Sequence, residues 1–277
     1  MSSPATGLQF ARGVAALFLP LIVPLLHAAD NEAMPGSITG AVPQAPQAQA
    51  VAAFSAQAPG GALAAPWRLQ TYAKVPRHTS FSLIADGGAT VLQVRAEQAA
   101  ASLIRPFNAD PAATPLLRWR WKPLASPQQT ALGEKASDDW GARLYVLFEP
   151  PPESVSFGER LALGIARAIY GDDLPARGIC YVWLPGGRVG AIAANAYTDR
   201  LKMIVVDAAP AGSWRAFERN LADDYRAAFG EALAPVSAIA VSADSDNSGG
   251  IAEVLIGDIT IGTAPLRAAP DTAPPPR

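Results

Sequence analysis

The stretch that decides the fold is Asp138-Asp139-Trp140-Gly141-Ala142-Arg143-Leu144-Tyr145-Val146-Leu147-Phe148. An acidic doublet leads into an alternating run. Ala142, Leu144, Val146 and Phe148 make one unbroken apolar face, and Gly141, Arg143, Tyr145 and Leu147 make a mixed face carrying a cation and a phenol. Period-2 alternation marks a β-strand with one side in a core. A second such run lies just upstream, where Leu117, Trp119 and Trp121 alternate with Arg118, Arg120 and Lys122. Read as neighbours in one sheet, the two strands are apolar beneath and cationic on top. Arg118, Arg120, Lys122, Arg143 and Tyr145 then share a surface, which Arg200 and Lys202 extend.

Outward from this pair the chain stays strand-like. Short β-rich runs at 67–72, 81–85, 90–96, 102–105, 179–184, 201–206, 236–242 and 251–261 are separated by turn residues, and Asp86-Gly87-Gly88 is a hairpin signal. About ten short strands point to a β-sandwich or barrel. Two helices interrupt the pattern. Ser156-x-x-Glu159 is a capping box ahead of Phe157, Leu161, Ile165, Ala168 and Ile169 at helical spacing. The second helix is expected over 214–229, with Trp214, Phe217, Leu221, Tyr225 and Phe229 as its apolar stripe and Gly230 as its stop. Both stripes read as packing faces against the sandwich.

The ends read differently. In residues 1–29, Arg12 precedes an apolar run from Val14 to Leu26, as in an export signal, with an uncleaved N-terminal anchor as the alternative. Either reading puts the body of the protein in the periplasm or outside the cell, and contact with a membrane is expected only through such an anchor. Residues 30–65 and 264–277, rich in Ala and Pro, read as a disordered linker and a disordered tail. The folded domain is expected over 66–263.

Composition excludes several classes. The formal net charge of -2 gives no bias towards nucleic acid. The single cysteine, Cys180, excludes an intramolecular disulfide, and its strand-like setting reads as a packed thiol. The only histidines are His27 and His78, which leaves little for a zinc site or a Cys/His pair. No Gly-rich phosphate loop, Gly-x-Ser-x-Gly elbow or HExxH is present.

Several ordered motifs resemble one family. Leu117-x-Trp119-x-Trp121 and Asp138-Asp139-x-x-Ala142-Arg143-x-Tyr145-Val146-x-Phe148 are followed by Tyr181-Val182-Trp183 and Asn195-x-Tyr197-Thr198-x-Arg200. Then come Glu218-Arg219-Asn220, Asp223-x-Tyr225 and Asp244-x-Asp246-Asn247-x-Gly249. Over most of the expected domain the chain resembles the bacterial domain-of-unknown-function family DUF3047. The resemblance implies an exported bacterial protein. It also implies a jelly-roll-like β-sandwich of the galactose-binding or carbohydrate-binding-module type, on which the two helices read from their own periodicity would pack. Fold analogy of this kind assigns no function by itself.

Three constellations could carry chemistry. Asp138, Asp139, Trp140, Arg143, Tyr145, Arg118, Arg120, Asn195, Tyr197 and Arg200 are the candidate ligand-binding residues. Guanidinium groups hold carboxylates or phosphates in bidentate fashion, and aromatic rings pack on sugars. Trp140, in the loop before the strand, is expected as the exposed platform, while Trp119, Trp121 and Trp183 are expected in the core. Asp244, Asp246 and Asn247 offer oxygen ligands at alternate positions, as a hard-cation loop does, but the EF-hand register fails; the loop reads as an Asx turn with no cofactor, and calcium is the alternative. Paired carboxylates for glycoside hydrolysis are available in Asp138/Asp139, Asp172/Asp173 and Asp223/Asp224, but sequence cannot set two of them across a cleft. The reading is therefore a non-catalytic module for a carbohydrate, small anion or other cell-envelope ligand. A glycan-active enzyme and a docking protein are the alternatives.

Overall fold

The computed structural model describes residues 48–263, apart from 128–129, 159, 161–162 and 165–175. The expected leader, anchor and tail lie outside the described residues, as does most of the helix expected after Ser156. Among the described residues the fold is mainly β, with two seven-stranded sheets. The first runs in the order β1 (Gln49–Ala52), β14 (Ile259–Gly262), β6 (Leu116–Ala125), β13 (Ile251–Ile256), β4 (Ala89–Glu97), β3 (Ser80–Asp86), with β11 (Arg215–Asn220) on the other side of β6. The second runs β2 (Arg68–Gln70), β5 (Ala100–Ala109), β12 (Val236–Asp244), β7 (Arg143–Phe148), β8 (Arg177–Trp183), β10 (Leu201–Asp207), β9 (Ile192–Ala194). All pairings are antiparallel except β8 with β10.

The apolar faces of both opening strands meet in the core. Leu117, Trp119 and Trp121 of β6, and Leu144, Val146 and Phe148 of β7, are all buried in one cluster. The Trp119 ring stacks on Tyr181 of β8 with centroids 5.2 Å apart, so the two sheets pack face to face here. Fully burying such side chains contributes roughly 1.5–3 kcal/mol each, which makes this cluster the main source of cohesion. Trp119, Trp121 and Trp183 are core residues, as their alternation indicates.

The two opening strands are not neighbours. β6 belongs to the first sheet and β7 to the second. Each turns its apolar side inward, so Arg118, Arg120 and Lys122 leave one outer face of the sandwich and Arg143 and Tyr145 the other. The shared cationic surface does not form. Alternation fixes which side of a strand is buried, and a strand in the facing sheet satisfies it as well as a strand alongside.

Other boundaries also shift. The segment read as a linker contributes to the sandwich from Gln49. β1 pairs with β14, and Phe54 is fully buried and stacked on Trp67. β5 runs on through Pro106, because its partner β12 bulges between Val236 and Ala238 there and asks no N–H of the proline. The run at 251–261 is two strands, β13 and β14, separated at Gly257, whose missing Cβ leaves room for the Arg120 side chain.

One α-helix lies wholly within the described residues, α1 (Leu221–Phe229), and Phe157, Gly158, Arg160, Leu163 and Gly164 of the segment after Ser156 are also helical. Helix α1 is shorter than the pattern at 214–229 indicates. Its first half is strand β11, in which Phe217 stacks on Trp119 of β6. The same apolar residues satisfy a strand and a helix over so short a run, and sheet packing decides. Asn220 marks the switch, its side chain accepting the N–H groups of Ala222 and Asp223, and Gly230 in the left-handed region (φ 67°) ends the helix. Asn220→Ala should therefore cost about 1 kcal/mol and lower the melting temperature by roughly 2–4 °C in thermal unfolding monitored by circular dichroism.

Candidate functional site

The site lies at the outer side of the second sheet, where the chain enters β7 and leaves β12. In the antiparallel pair β7–β12, Ser242 faces Arg143 and Ala240 faces Tyr145. Immediately beyond this register the two segments clasp each other. Trp140 N–H donates to the Asp244 carbonyl at 3.2 Å and Asp244 N–H to the Trp140 carbonyl at 3.1 Å. Gly141 is required at the crossing: a Cβ there would meet the Ala125 carbonyl at 2.5 Å and the Trp183 ring at 2.8 Å.

Arg143 is the centre. It is 7% exposed. Its Nη2 donates to the Asp138 carbonyl (2.8 Å) and lies 3.3 Å from Asp138 Oδ1 and 3.0 Å from Asp244 Oδ2. Its Nη1 donates to the Tyr145 hydroxyl at 3.0 Å, and the Trp140 ring lies 5.8 Å from the guanidinium carbon. A buried charge persists only with partners of this kind.

Asp139, fully buried, holds the loop after β12. Its carboxylate accepts Asn247 N–H (3.1 Å) and both the N–H and the hydroxyl of Ser248 (each 2.5 Å). Asn247 Nδ2 donates to the Asp138 carbonyl at 3.3 Å. The β9–β10 turn joins through Asn195, whose Nδ2 reaches Asp138 Oδ2 at 3.5 Å while its Oδ1 accepts Tyr197 N–H at 3.0 Å. Tyr197 is 60% exposed, with Lys135 Nζ 5.4 Å from its ring centroid.

The structure thus brings Asp138, Asp139, Trp140, Arg143, Tyr145, Asn195 and Tyr197 to one place, together with Asp244, Asp246 and Asn247. Two groups read separately in the sequence, the ligand face and the acidic loop, are one cluster. Trp140 is not the exposed platform expected of it. It is fully buried on Cys180, Val182, Met203 and Val205, with its indole N–H on Asp138 Oδ1 at 2.8 Å. The outer side of this sheet is apolar beneath the loops, so a large ring in the preceding loop is drawn in. The exposed ring is Tyr197.

Arg118 and Arg120 lie on the other sheet. Arg118 is buried and paired with Glu218 at 2.7 Å, and Arg120 rests 4.6 Å from the Trp214 centroid. Arg200 sits in the turn before β10, its N–H donated to Thr198 Oγ1 at 3.2 Å and its carbonyl taken by Gly178. Lys135, which no sequence signal marks, joins the site through a short 3₁₀ turn at Lys135–Ser137.

Asp139, Asp244 and Asp246 each present a carboxylate oxygen, all within 4.8 Å of one another. That spacing suits a hard cation such as calcium. Asp139 is already spent on three N–H and O–H donors, however. Asp244 is held by Trp140 N–H at 2.9 Å and by Arg143, whose guanidinium does the neutralising there. One positive group does not balance four carboxyls. Burial pushes the Asp244 carboxyl up to about 8, with Arg143 opposing the shift and Asp138 adding to it. Burial and the Asp139 carboxylate raise Asp246 as well.

A two-sheet β-sandwich with loops clasped over the outer side of one sheet defines the class. The chain belongs to the protein-of-unknown-function family DUF3047, whose family model matches residues 65–260. No curated protein matches it. Among solved structures it is similar to the family 11 carbohydrate-binding module of the cellulosomal cellulase Lic26A-Cel5E of Clostridium thermocellum. The two share 8% sequence identity and a TM-score of 0.40, over 79% of this chain and 95% of that one.

The raised Asp244 has a consequence for stability. From about pH 4 to 8 the folded chain retains a proton that an unfolded carboxyl has released. This contribution is full at low pH and is lost as pH rises through 8. Replacing Asp244 by Asn should flatten the fall in stability between pH 5 and 8.5 by at least about 1 kcal/mol, read from urea unfolding at each pH. An identical profile in both proteins contradicts the shift.

Proposed function

We propose that the chain is an exported, non-catalytic module of jelly-roll type that binds a carbohydrate of the cell envelope or its surroundings. The contact surface is the rim around Tyr197. The observation that carries this reading is Tyr197, 60% exposed and anchored through its backbone: its N–H is held by Asn195, and Asn195 is tied to Asp138, as is the neighbouring Asn247. An exposed aromatic ring on an anchored turn, with amide groups, the Lys135 ammonium and the exposed Asp246 carboxyl around it, suits a sugar. The ring packs against the C–H face, and the polar groups take up hydroxyls. In this reading Asp138, Asp139, Trp140 and Arg143 position the rim and do not touch the ligand, because they are buried and bonded to the chain itself.

Asp172 and Asp173 lie outside the described residues; among the described residues, the carboxyls available for hydrolysis support binding better than chemistry. Glycoside cleavage needs two carboxyls on one open cleft. Asp138, Asp139 and Asp244 are buried, and of this group only Asp246 is exposed. Asp224 is engaged by Arg219 and by the Tyr181 hydroxyl, and Asp223 by Arg226.

A panel of soluble oligosaccharides and insoluble cell-wall polysaccharides, scored by calorimetry and by pull-down, tests the reading. At least one should bind, and Tyr197→Ala should weaken it about tenfold or more with no change in melting temperature. Binding unaffected by Tyr197→Ala, or no binding across the panel, removes the proposal.

A further inference from the structure

We propose a second subsite at the same end of the sandwich, a cleft that accepts an oxyanion, carboxylate or phosphate, carried by the ligand. This deepens the carbohydrate reading and rests on it for the rest of the ligand. The cleft has a volume of about 380 Å³ and is lined by Arg77, His78, Ser80, Arg95, Glu97 and Ala99. It opens where the chain crosses from one sheet to the other, at Gln98-Ala99 between β4 and β5.

Two features suit the cleft to an anion. The first is Arg77, which is exposed. Among the described residues its guanidinium is paired with no carboxylate and donates only to Gln98 Oε1, at 3.3 Å. Gln98 is the one non-glycine among the described residues with a left-handed backbone (φ 50°), a conformation that costs energy for such a side chain. It turns the crossing so that its amide meets Arg77. The second is Arg95, shared between Glu253 and Glu97 at 3.1 Å each. The Glu253 side chain is largely buried, whereas that of Glu97 is 63% exposed. A ligand oxyanion therefore takes the place of Glu97 on Arg95 and gains Arg77 and His78 at the same time. Arginine offers paired donors in the geometry that carboxylates and phosphates accept.

The cleft and the Tyr197 rim are joined by the loop after β12. Ser245 N–H donates to the Ala99 carbonyl at 3.0 Å, and Gln98 N–H to the Gly250 carbonyl at 3.2 Å, so both ends of that loop are anchored on the crossing. Its middle, Asn247 and Ser248, is held by Asp138 and Asp139 beside Tyr197. A chain-like acidic glycan lying over the loop reaches both.

Calorimetric titration of the full chain with inorganic phosphate and, separately, with an oligogalacturonate tests this. Arg77→Ala should weaken binding of the probe about tenfold or more, and Glu97→Gln should strengthen it, because the competing carboxylate is gone. Response with the oligogalacturonate alone assigns the oxyanion to a uronate, and response with phosphate alone assigns it to a phosphate group. Failure of both probes to bind, or binding indifferent to both substitutions, overturns the subsite. Phosphate captured at the cleft with no glycan bound anywhere leaves the subsite standing and ends the carbohydrate reading. Glycan binding that needs Tyr197 but ignores both cleft variants does the reverse.

Discussion

A guanidinium buried outside the main core is what the functional end of this protein depends on. Arg143 leaves β7 on the side away from the sheet–sheet interface, where a charge should meet water. It meets the carbonyl and carboxylate of Asp138, the carboxylate of Asp244 and the hydroxyl of Tyr145 instead. Removing one partner of such a buried pair typically costs about 3–5 kcal/mol, because the other is left charged and dry. The entry to β7 and the exit from β12 are therefore energetically one unit. Asp138 and Asp139 then pass the constraint on, the first to Asn195 and Asn247, the second to the backbone of the loop that follows Asp244.

This division of labour separates the residues that hold from the residues that meet a ligand. The charged groups Asp138, Asp139, Arg143 and Asp244 are buried and bonded to the chain, with Arg143 Nε left unpaired, while the side chains that face outward are Tyr197, Lys135, Asp246 and Asn247. A buried polar network of this kind fixes loops more firmly than it contributes net stability. Pre-ordered loops lose less entropy on binding, and that is the advantage a recognition surface gains from such an expensive foundation. The two sheet crossings, at Gln98-Ala99 and over the loop after β12, extend the same logic to the edge of the sandwich.

Much of the fold was legible in the sequence because alternation is a direct record of burial. Leu117, Trp119 and Trp121, like Leu144, Val146 and Phe148, are core residues as their spacing indicates, and the family to which the chain belongs was readable from the same motifs. What alternation does not encode is the partner. β6 and β7 satisfy it in facing sheets, so Arg120 and Arg143 diverge. Residues 215–220 carry apolar groups at positions that fit a strand or a helix, and only packing of Phe217 on Trp119 decides between them. Gln49–Ala52 and Phe54 sit in Ala/Pro/Gln-rich sequence, and composition hides the few side chains that dock.

The site was legible as residue types and not as an arrangement. The acidic doublet at 138–139 and the loop at 244–250 are more than a hundred residues apart, and no spacing rule relates them. Their junction is made by backbone pairing of Trp140 with Asp244, which depends on the register of β7 against β12. The measurement that tests the account most directly is amide hydrogen exchange on Arg143→Met. The N–H groups of Trp140, Asp244, Asn247 and Ser248 should lose protection together, while those of β4 and β13 in the other sheet keep theirs. Protection retained at Asn247 and Ser248, or lost uniformly across both sheets, would contradict the claim that this one buried cation ties the two loops into a single unit.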